Sequence, residues 1–504
     1  MKTSFTVTIA AWPSKALALG LAALLLSPPA RAFQSDSPVS SAAGQTVLEK
    51  LEAGELEAGK DPAAFIFLSK GEYAAALAAL TPDVDASFPW LRPYLQRLIA
   101  ASAGLVEAPV SPHFRLFVPP NQAFLADYAL PVLEKVGDHY EKTFAHRPRE
   151  KIRVEIYPDK ESFSAASTLS LETLERSGAI GICKFHRLMI LSPAALPVGF
   201  RWLDALSHEY THLTVNELTS TKAELWLHEG TARYFETSYR LDPPSYLTPN
   251  QRNALLDARE KGTLVPFRRM SPSMVYLKDQ EEVSLAFAQV SHAVDFMLRE
   301  KKLAGFRTFL GSLKKFSFAQ AFERVYGLTP DAFETAWKAV LNKETWEKSR
   351  GALSDEVRFD ALREEDVVGA SAESRLHLGD RMRQRGQMEA ALIEYDKALA
   401  DEPDNAIILL KCARARLALE RKDEARDMLK LAVAKNPNYA TPMIELANLV
   451  DDREAGALLL DANAINPFDP RIHRMLGEIY ARQGRPESAR EGEIAAMLTP
   501  GGSR

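Results

Sequence analysis

Two histidines four residues apart, the first followed directly by a glutamate, stand in "LSHEYTHLTVNELTSTKAELWLHEGTARYFE", residues 206–236. On a helix, positions i and i+4 share a face about one turn apart, so His208 and His212 can aim an imidazole nitrogen at one ion. Glu209 then sits beside the ion without needing to ligate it. Zinc catalysis uses three protein ligands and an open position for a water whose pKa falls to about 7. A carboxylate placed as Glu209 is could take that water's proton during attack and return it to a leaving amine. A third ligand is expected on a following helix, and Glu229 lies sixteen residues beyond His212. That gap leaves room for the first helix to end near Leu218, for a Thr-Ser-Thr turn and for a second helix to pack back. His228 is also chemically able to ligate, but successive helix residues point about 100° apart, so only one of His228 and Glu229 can face the ion. The expected cofactor is Zn2+, held by His208, His212 and a residue of the second helix.

Elements that could hold such a pair of helices precede it. "HFRLFVPP" and "KIRVEIYPD" alternate apolar with polar residues and read as strands, with a helix between them from about Leu125 to Phe144. "RLMILSP", from Arg187 to Pro193, is a third candidate strand. The pattern suggests a mixed sheet packed against the helix that carries His208. Upstream, "GEYAAALAAL" and "WLRPYLQRLIAASAGL" have helical spacing and are separated by the breaker Thr81-Pro82-Asp83.

HExxH followed by W-L-x-E-G resembles the gluzincin zinc peptidases, in particular the peptidase MA-like group and more distantly aminopeptidase N. The resemblance implies that His208, His212 and Glu229 are zinc ligands and Glu209 the general base. It also implies that an edge strand such as "KFHRLMILSP" binds an extended peptide by main-chain pairing, with "FAQVSHAVDFMLRE" and "TPDAFETAWKAVL" forming a C-terminal lobe. Family members commonly add a Tyr or His that donates to the developing oxyanion. Relatives often have a tyrosine at about the position of Phe287, and phenylalanine cannot donate, so His292, Tyr276 and Tyr234 are the candidate donors. The Gly-x-Met-Glu-Asn segment that binds a free amino terminus in aminopeptidase N has no match here, which favours an endopeptidase or a peptidase of narrow substrate range.

From about Ser371 the chain repeats itself: Ala391 and Ala425, Ala398 and Ala432, and Pro403 and Pro437 are each 34 residues apart. This period resembles the tetratricopeptide repeat, a helix hairpin with small residues where its helices touch. A third unit is short, 30 residues from Pro437 to Pro467, and "MLGEIYARQGRPESAR" recovers the pattern in a fourth. At the other end, Lys2 and Lys15 precede an apolar run from Ala16 to Leu26 and then Ala30-Arg31-Ala32, which reads as a cleaved export signal. The apolar run is shorter than a bilayer span requires, so no stable membrane insertion is expected after cleavage, and the compartment is periplasmic if the host has two membranes. With 62 Lys and Arg against 67 Asp and Glu, a net charge of -5 offers no basic surplus for nucleic acid. Cys183 and Cys412 fall in different expected domains, so no disulfide is expected.

The expected fold class is therefore α+β, a zincin-like catalytic domain followed by an all-α tetratricopeptide solenoid. The expected boundaries are a signal peptide 1–32, flexible leader 33–46, helical hairpins 47–108, a peptidase domain 109–348, linker 349–370 and repeats 371–500. The expected function is zinc-dependent hydrolysis of a peptide or protein substrate, with the repeats recruiting a protein partner. The alternative is a non-catalytic tetratricopeptide scaffold with an inactive peptidase-like domain.

Overall fold

A computed structural model describes residues 63–220, 222–271, 274, 277–359 and 368–499. The expected signal peptide and leader, the start of the expected helical hairpins and the candidate donor Tyr276 lie outside the described residues. Four short helices come first: α1 (Ala63–Ser69), α2 (Tyr73–Ala78), α3 (Pro82–Ser87) and α4 (Leu91–Ser102). The Thr81-Pro82 breaker starts α3, because the Thr81 hydroxyl accepts from the Val84 amide at 3.3 Å and proline at the first helical position has no amide to satisfy.

The alternating stretches form strands β1 (Val106–Glu107), β2 (Phe114–Val118), β3 (Ile152–Tyr157), β4 (Gly181–Lys184) and β5 (Arg187–Leu191), in the order β1-β2-β3-β5-β4. β2, β3 and β5 run parallel, and β1 and β4 are antiparallel edges. This corrects the expectation about the substrate-binding edge. The strand in "RLMIL" is internal and buried along its whole length, and the free edge beside it is β4. A strand flanked on both sides and covered on both faces reads as a continuous apolar run, which is what residues 188–191 of β5 are.

One face of the sheet is covered by α5 (Ala126–Phe144) and by α8 (Trp202–Thr219), which carries His208. The other face takes the N-terminal helices together with α6 (Lys160–Ser167) and α7 (Leu171–Ser177). A buried ion pair fastens that second layer. Arg187 meets Glu155 at 2.9 Å with both side chains fully buried, Tyr157 donates to Glu155 at 2.9 Å, and the Tyr94 hydroxyl accepts from Arg187 at 3.2 Å. Helix α9 (Leu225–Phe235) follows α8, and α10 (Pro249–Lys261), α11 (Gln280–Ser312), α12 (Phe318–Tyr326) and α13 (Pro330–Leu341) complete this half of the chain. A break at Lys302, with φ 55°, divides α11. Among the described residues no helix is long and apolar enough to cross a membrane.

Four helix hairpins follow: α14 (Ala370–Gln384) with α15 (Met388–Asp401), α16 (Ala406–Ala418) with α17 (Lys422–Lys435), α18 (Ala440–Ala447) with α19 (Asp452–Asn463), and α20 (Pro470–Arg482) with α21 (Glu487–Leu498). The repeated small residues sit at helix contacts. Ala391, Ala398, Ala425 and Ala432 are fully buried, and a Cβ on Gly379 would lie 2.4 Å from the Tyr395 ring. The short third unit has a physical cause, since α18 has 8 residues where α16 has 13. Cys183 and Cys412 are free thiols.

The segment expected as a linker is anchored where it is described. Asn253 exchanges two hydrogen bonds with the backbone of Ser349, at 2.8 and 2.9 Å, and Gln280 does the same with Val357, at 2.9 and 3.1 Å. The repeats are docked as well. The amides of Phe200 and Trp202 donate to the carbonyls of Ile465 and Ala464 at 2.9 and 3.1 Å, the Trp202 indole donates to the carbonyl of Asn463 at 3.0 Å, and Arg201 meets Asp461 at 2.8 Å.

Candidate metal centre

Helix α8 is gripped from several sides before it presents anything to the cleft. Tyr140 of α5 bonds Ser207 Oγ at 2.9 Å and Thr211 Oγ1 at 2.6 Å, and Thr211, Thr214 and Thr219 each turn a hydroxyl back to the carbonyl four residues earlier. This satisfies the polar groups of a helix that is buried over most of its surface. The other ligand-bearing helix, α9, is fixed by Trp226, which stacks on Phe267 at 4.8 Å and on Phe333 at 5.9 Å. Gly230 lets α9 close on α11, because a Cβ there would lie 2.5 Å from the Val290 carbonyl oxygen. The tryptophan and glycine of W-L-x-E-G thus position the glutamate between them.

His208, His212 and Glu229 converge, with one ligand atom from each lying within 4.8 Å of the others. His208 Nε2 and His212 Nε2 are 3.2 Å apart, and Glu229 Oε2 is 3.5 Å from the first and 3.4 Å from the second. A tetrahedral zinc with bonds of about 2.0–2.1 Å has ligand-to-ligand edges of about 3.3–3.4 Å. The triangle therefore has the size that three ligands of one zinc ion require, and its two imidazoles and one carboxylate match the donor types found in zinc sites that keep an open position. Burial alone would lower the His208 pKa, but hydrogen bonds to Glu229 and Glu236 raise it to about 10. Burial would raise the Glu229 carboxyl, and the neighbouring His212 and His208 instead hold it well below the usual carboxylate range.

Glu209 lines the same cleft, of about 860 Å³, and is 5% exposed. Burial raises its pKa, with His212 and His208 offsetting part of the shift. It faces the edge strand closely, since a Cβ on Gly181 of β4 would lie 2.5 Å from Glu209 Oε1. Two contributors were not singled out from the sequence. Gly181 is one, and Glu236 is the other: His208 Nδ1 donates to Glu236 Oε2 at 3.0 Å, and Arg233 pairs with the other oxygen of Glu236. That second carboxylate fixes the tautomer and orientation of His208 and raises its basicity as a ligand. Its signal is a two-turn spacing from Glu229, which returns it to the same side of the helix.

His228 is buried in the cleft wall with its ring 5.7 Å from that of His212, and burial pushes its pKa down to about 3. Of the candidate oxyanion donors, His292 and Tyr234 do not gather at the candidate ligands. His292 is buried in the packing between α11 and α13, where its Nδ1 accepts from the Trp337 indole at 3.0 Å. Tyr234 packs against Tyr246 with ring centroids 5.0 Å apart and hydrogen-bonds Asp295. Neither lines the cleft. Phe287 does, with its ring 6.3 Å from that of His208.

Comparison with known proteins bears on the C-terminal half. Residues 382–444 match the tetratricopeptide repeat family. Cellulose synthase 1 operon protein C of Komagataeibacter xylinus is 32% identical over 118 residues, 22% of this chain and 9% of that protein, so the chain matches about a tenth of this curated relative's length. Among solved structures, MamA is 23% identical with a TM-score of 0.24, covering 25% of this chain and 77% of MamA. A thermophilic tetratricopeptide protein of Thermus thermophilus is 25% identical with a TM-score of 0.23, covering 26% of this chain and 75% of that one. The chain carries an all-α region of tetratricopeptide repeats, a kind of array whose stacked hairpins mediate binding to protein partners.

Proposed function

We propose that this chain is an exported zinc-dependent peptidase of the gluzincin, peptidase MA-like kind, whose tetratricopeptide repeats bring a protein partner or substrate to it. The observation that carries the reading is the triangle of His208, His212 and Glu229, whose edges of 3.2, 3.5 and 3.4 Å suit a tetrahedral ion. Zinc held there would polarise a water at its open position and lower that water's pKa toward neutrality. Glu209, next to the ligands and shielded by Gly181, is the group placed to accept the water's proton and to pass it to the amine that leaves. Its burial raises its proton affinity, as that double role needs. Glu236 holds His208 in the tautomer that leaves Nε2 free to ligate. The edge strand β4 runs beside Glu209 with one side unpaired among the described residues, which suits main-chain pairing with an extended peptide.

A second reading has its own support. The family match lies in the repeats, which bind proteins without catalysis, and Phe287 stands in the cleft where a hydrogen-bond donor would serve hydrolysis. On that reading the chain is an interaction scaffold and its metal-binding half is not catalytic. One experiment separates the two: zinc per chain and cleavage of an unstructured protein, measured for the parent chain and for Glu209→Gln. The peptidase reading expects one zinc in both proteins and a loss of about 10²–10⁴-fold in rate for the variant, the contribution of a positioned general base. One zinc with no cleavage by either form supports the scaffold, and absence of zinc removes the site.

A further inference from the structure

The cleft beside the metal ligands has β4 on one side and the first turns of α11 on the other, and at one end these two sides are tied together. Gln280, the first residue of α11, donates from Nε2 to the carbonyl of Glu175 in α7 at 2.7 Å and to the carbonyl of Val357 at 3.1 Å, and its Oε1 accepts the Val357 amide at 2.9 Å. A Cβ at Gly178 would lie 2.7 Å from Gln280 Oε1 and 3.3 Å from Val357 Cβ. Gly178, Gln280 and Val357 all line the cleft. The segment leading to Val357 is itself held, by the Thr248 hydroxyl donating to Asp355 at 2.5 Å and by the paired hydrogen bonds of Asn253 with Ser349. Residues 349–357 are therefore a strap, stitched down where the two sides meet.

Two independent rulers give the distance from the tie to the chemistry. Along α11, Gln280 precedes Phe287 by seven residues, an axial rise of about 10 Å, and the Phe287 ring lies 6.3 Å from that of His208. Along the sheet side, Gly178 precedes Gly181 by three residues, a span of at most about 10 Å, and Gly181 abuts Glu209. An extended peptide advances about 3.3 Å per residue, so about three substrate residues fit between Glu209 and the tie. We propose that the Gln280 tie makes this cleft blind at one end, so that it takes a peptide by a free chain terminus and holds the reacting bond within about three residues of that end. This narrows the endopeptidase expectation to a peptidase that acts near a chain end, and it rests on the peptidase reading above.

A cyclic peptide has no terminus to insert, which makes it the discriminating probe. The full chain carrying Glu209→Gln and loaded with zinc is titrated, by fluorescence anisotropy, with a labelled unstructured peptide in linear form and in head-to-tail cyclised form. A blind cleft binds the linear peptide at least about tenfold more tightly, a difference of about 1.4 kcal/mol. Adding Gln280→Ala or, as a milder change that suits the first turn of α11 yet sets a carboxylate against the two carbonyls that Nε2 now reaches, Gln280→Glu should narrow that ratio. With Glu209 present, products from a long linear peptide should map within about three residues of one end. Equal binding of the linear and cyclic forms by the tied protein, or cutting throughout the long peptide, overturns the blind end while leaving the metal site standing. Failure of the zinc-loaded chain to bind either peptide overturns the peptidase reading, and the blind end with it.

Discussion

At the scale of single residues, the site divides between groups whose spacing announces them and groups whose orientation does not. The i, i+4 relation of His208 and His212 survives folding because a helix enforces it, and Glu229 arrives because Trp226 and Gly230 dock its helix. Glu236 touches the same histidine from its other nitrogen, with His208 Nδ1 at 3.0 Å, but a glutamate two turns along a helix is too common a pattern to stand out. Its role is testable. Glu236→Ala should lower zinc affinity by about 10–100-fold while the fold persists, read by competition with a chelator of known strength, and an unchanged affinity would show that His208 needs no orienting partner. His292 lies away from the candidate ligands for a geometric reason. His292 follows Phe287 by five residues, which turns it about 140° around the helix, from the cleft into the packing against Trp337. Histidine and tyrosine identity says what a side chain can do, and only the helix phase says where it does it.

At the scale of elements, the strands with clear alternation were the legible ones. β2 and β3 were readable as strands from apolar and polar residues in turn, whereas β4 has only 4 residues, one of them glycine, and carries no pattern long enough to detect. That short strand is nevertheless the one that meets the general-base candidate. Gly181 is required there by contact with Glu209, since an added Cβ would come within 2.5 Å of Oε1 and push the carboxylate aside. Gly181→Ala should therefore keep zinc at the parent stoichiometry and lose about 10²-fold or more in kcat, the lower range for a general base out of place. Parallel zinc and rate measurements decide it. Parent-like turnover would mean that Glu209 works from another rotamer, and loss of zinc as well would mean that β4 supports the ligands and not the base alone.

At the scale of the whole molecule, the repeats and the half that carries the candidate metal centre share an interface that no local pattern could reveal, because its partners lie some 260 positions apart, as Trp202 and Asn463 do. The 34-residue period made the hairpins legible, yet it describes an array whose faces are equivalent until something docks on one of them. Here the turn between α19 and α20 holds the start of α8, the helix that bears both histidines. Gly199 makes the approach possible, with φ +69° and a prospective Cβ 2.2 Å from the Ile465 carbonyl oxygen. Gly199→Ala thus combines a left-handed backbone with a clash at the interface, and a cost of about 1–3 kcal/mol follows from the strain alone. If the repeats help to set α8, calorimetry should show the variant unfolding at a lower temperature and zinc affinity falling in step. A lower unfolding temperature with unchanged zinc affinity would instead make the repeats a separately attached module, and the metal centre a site that the first half of the chain builds unaided.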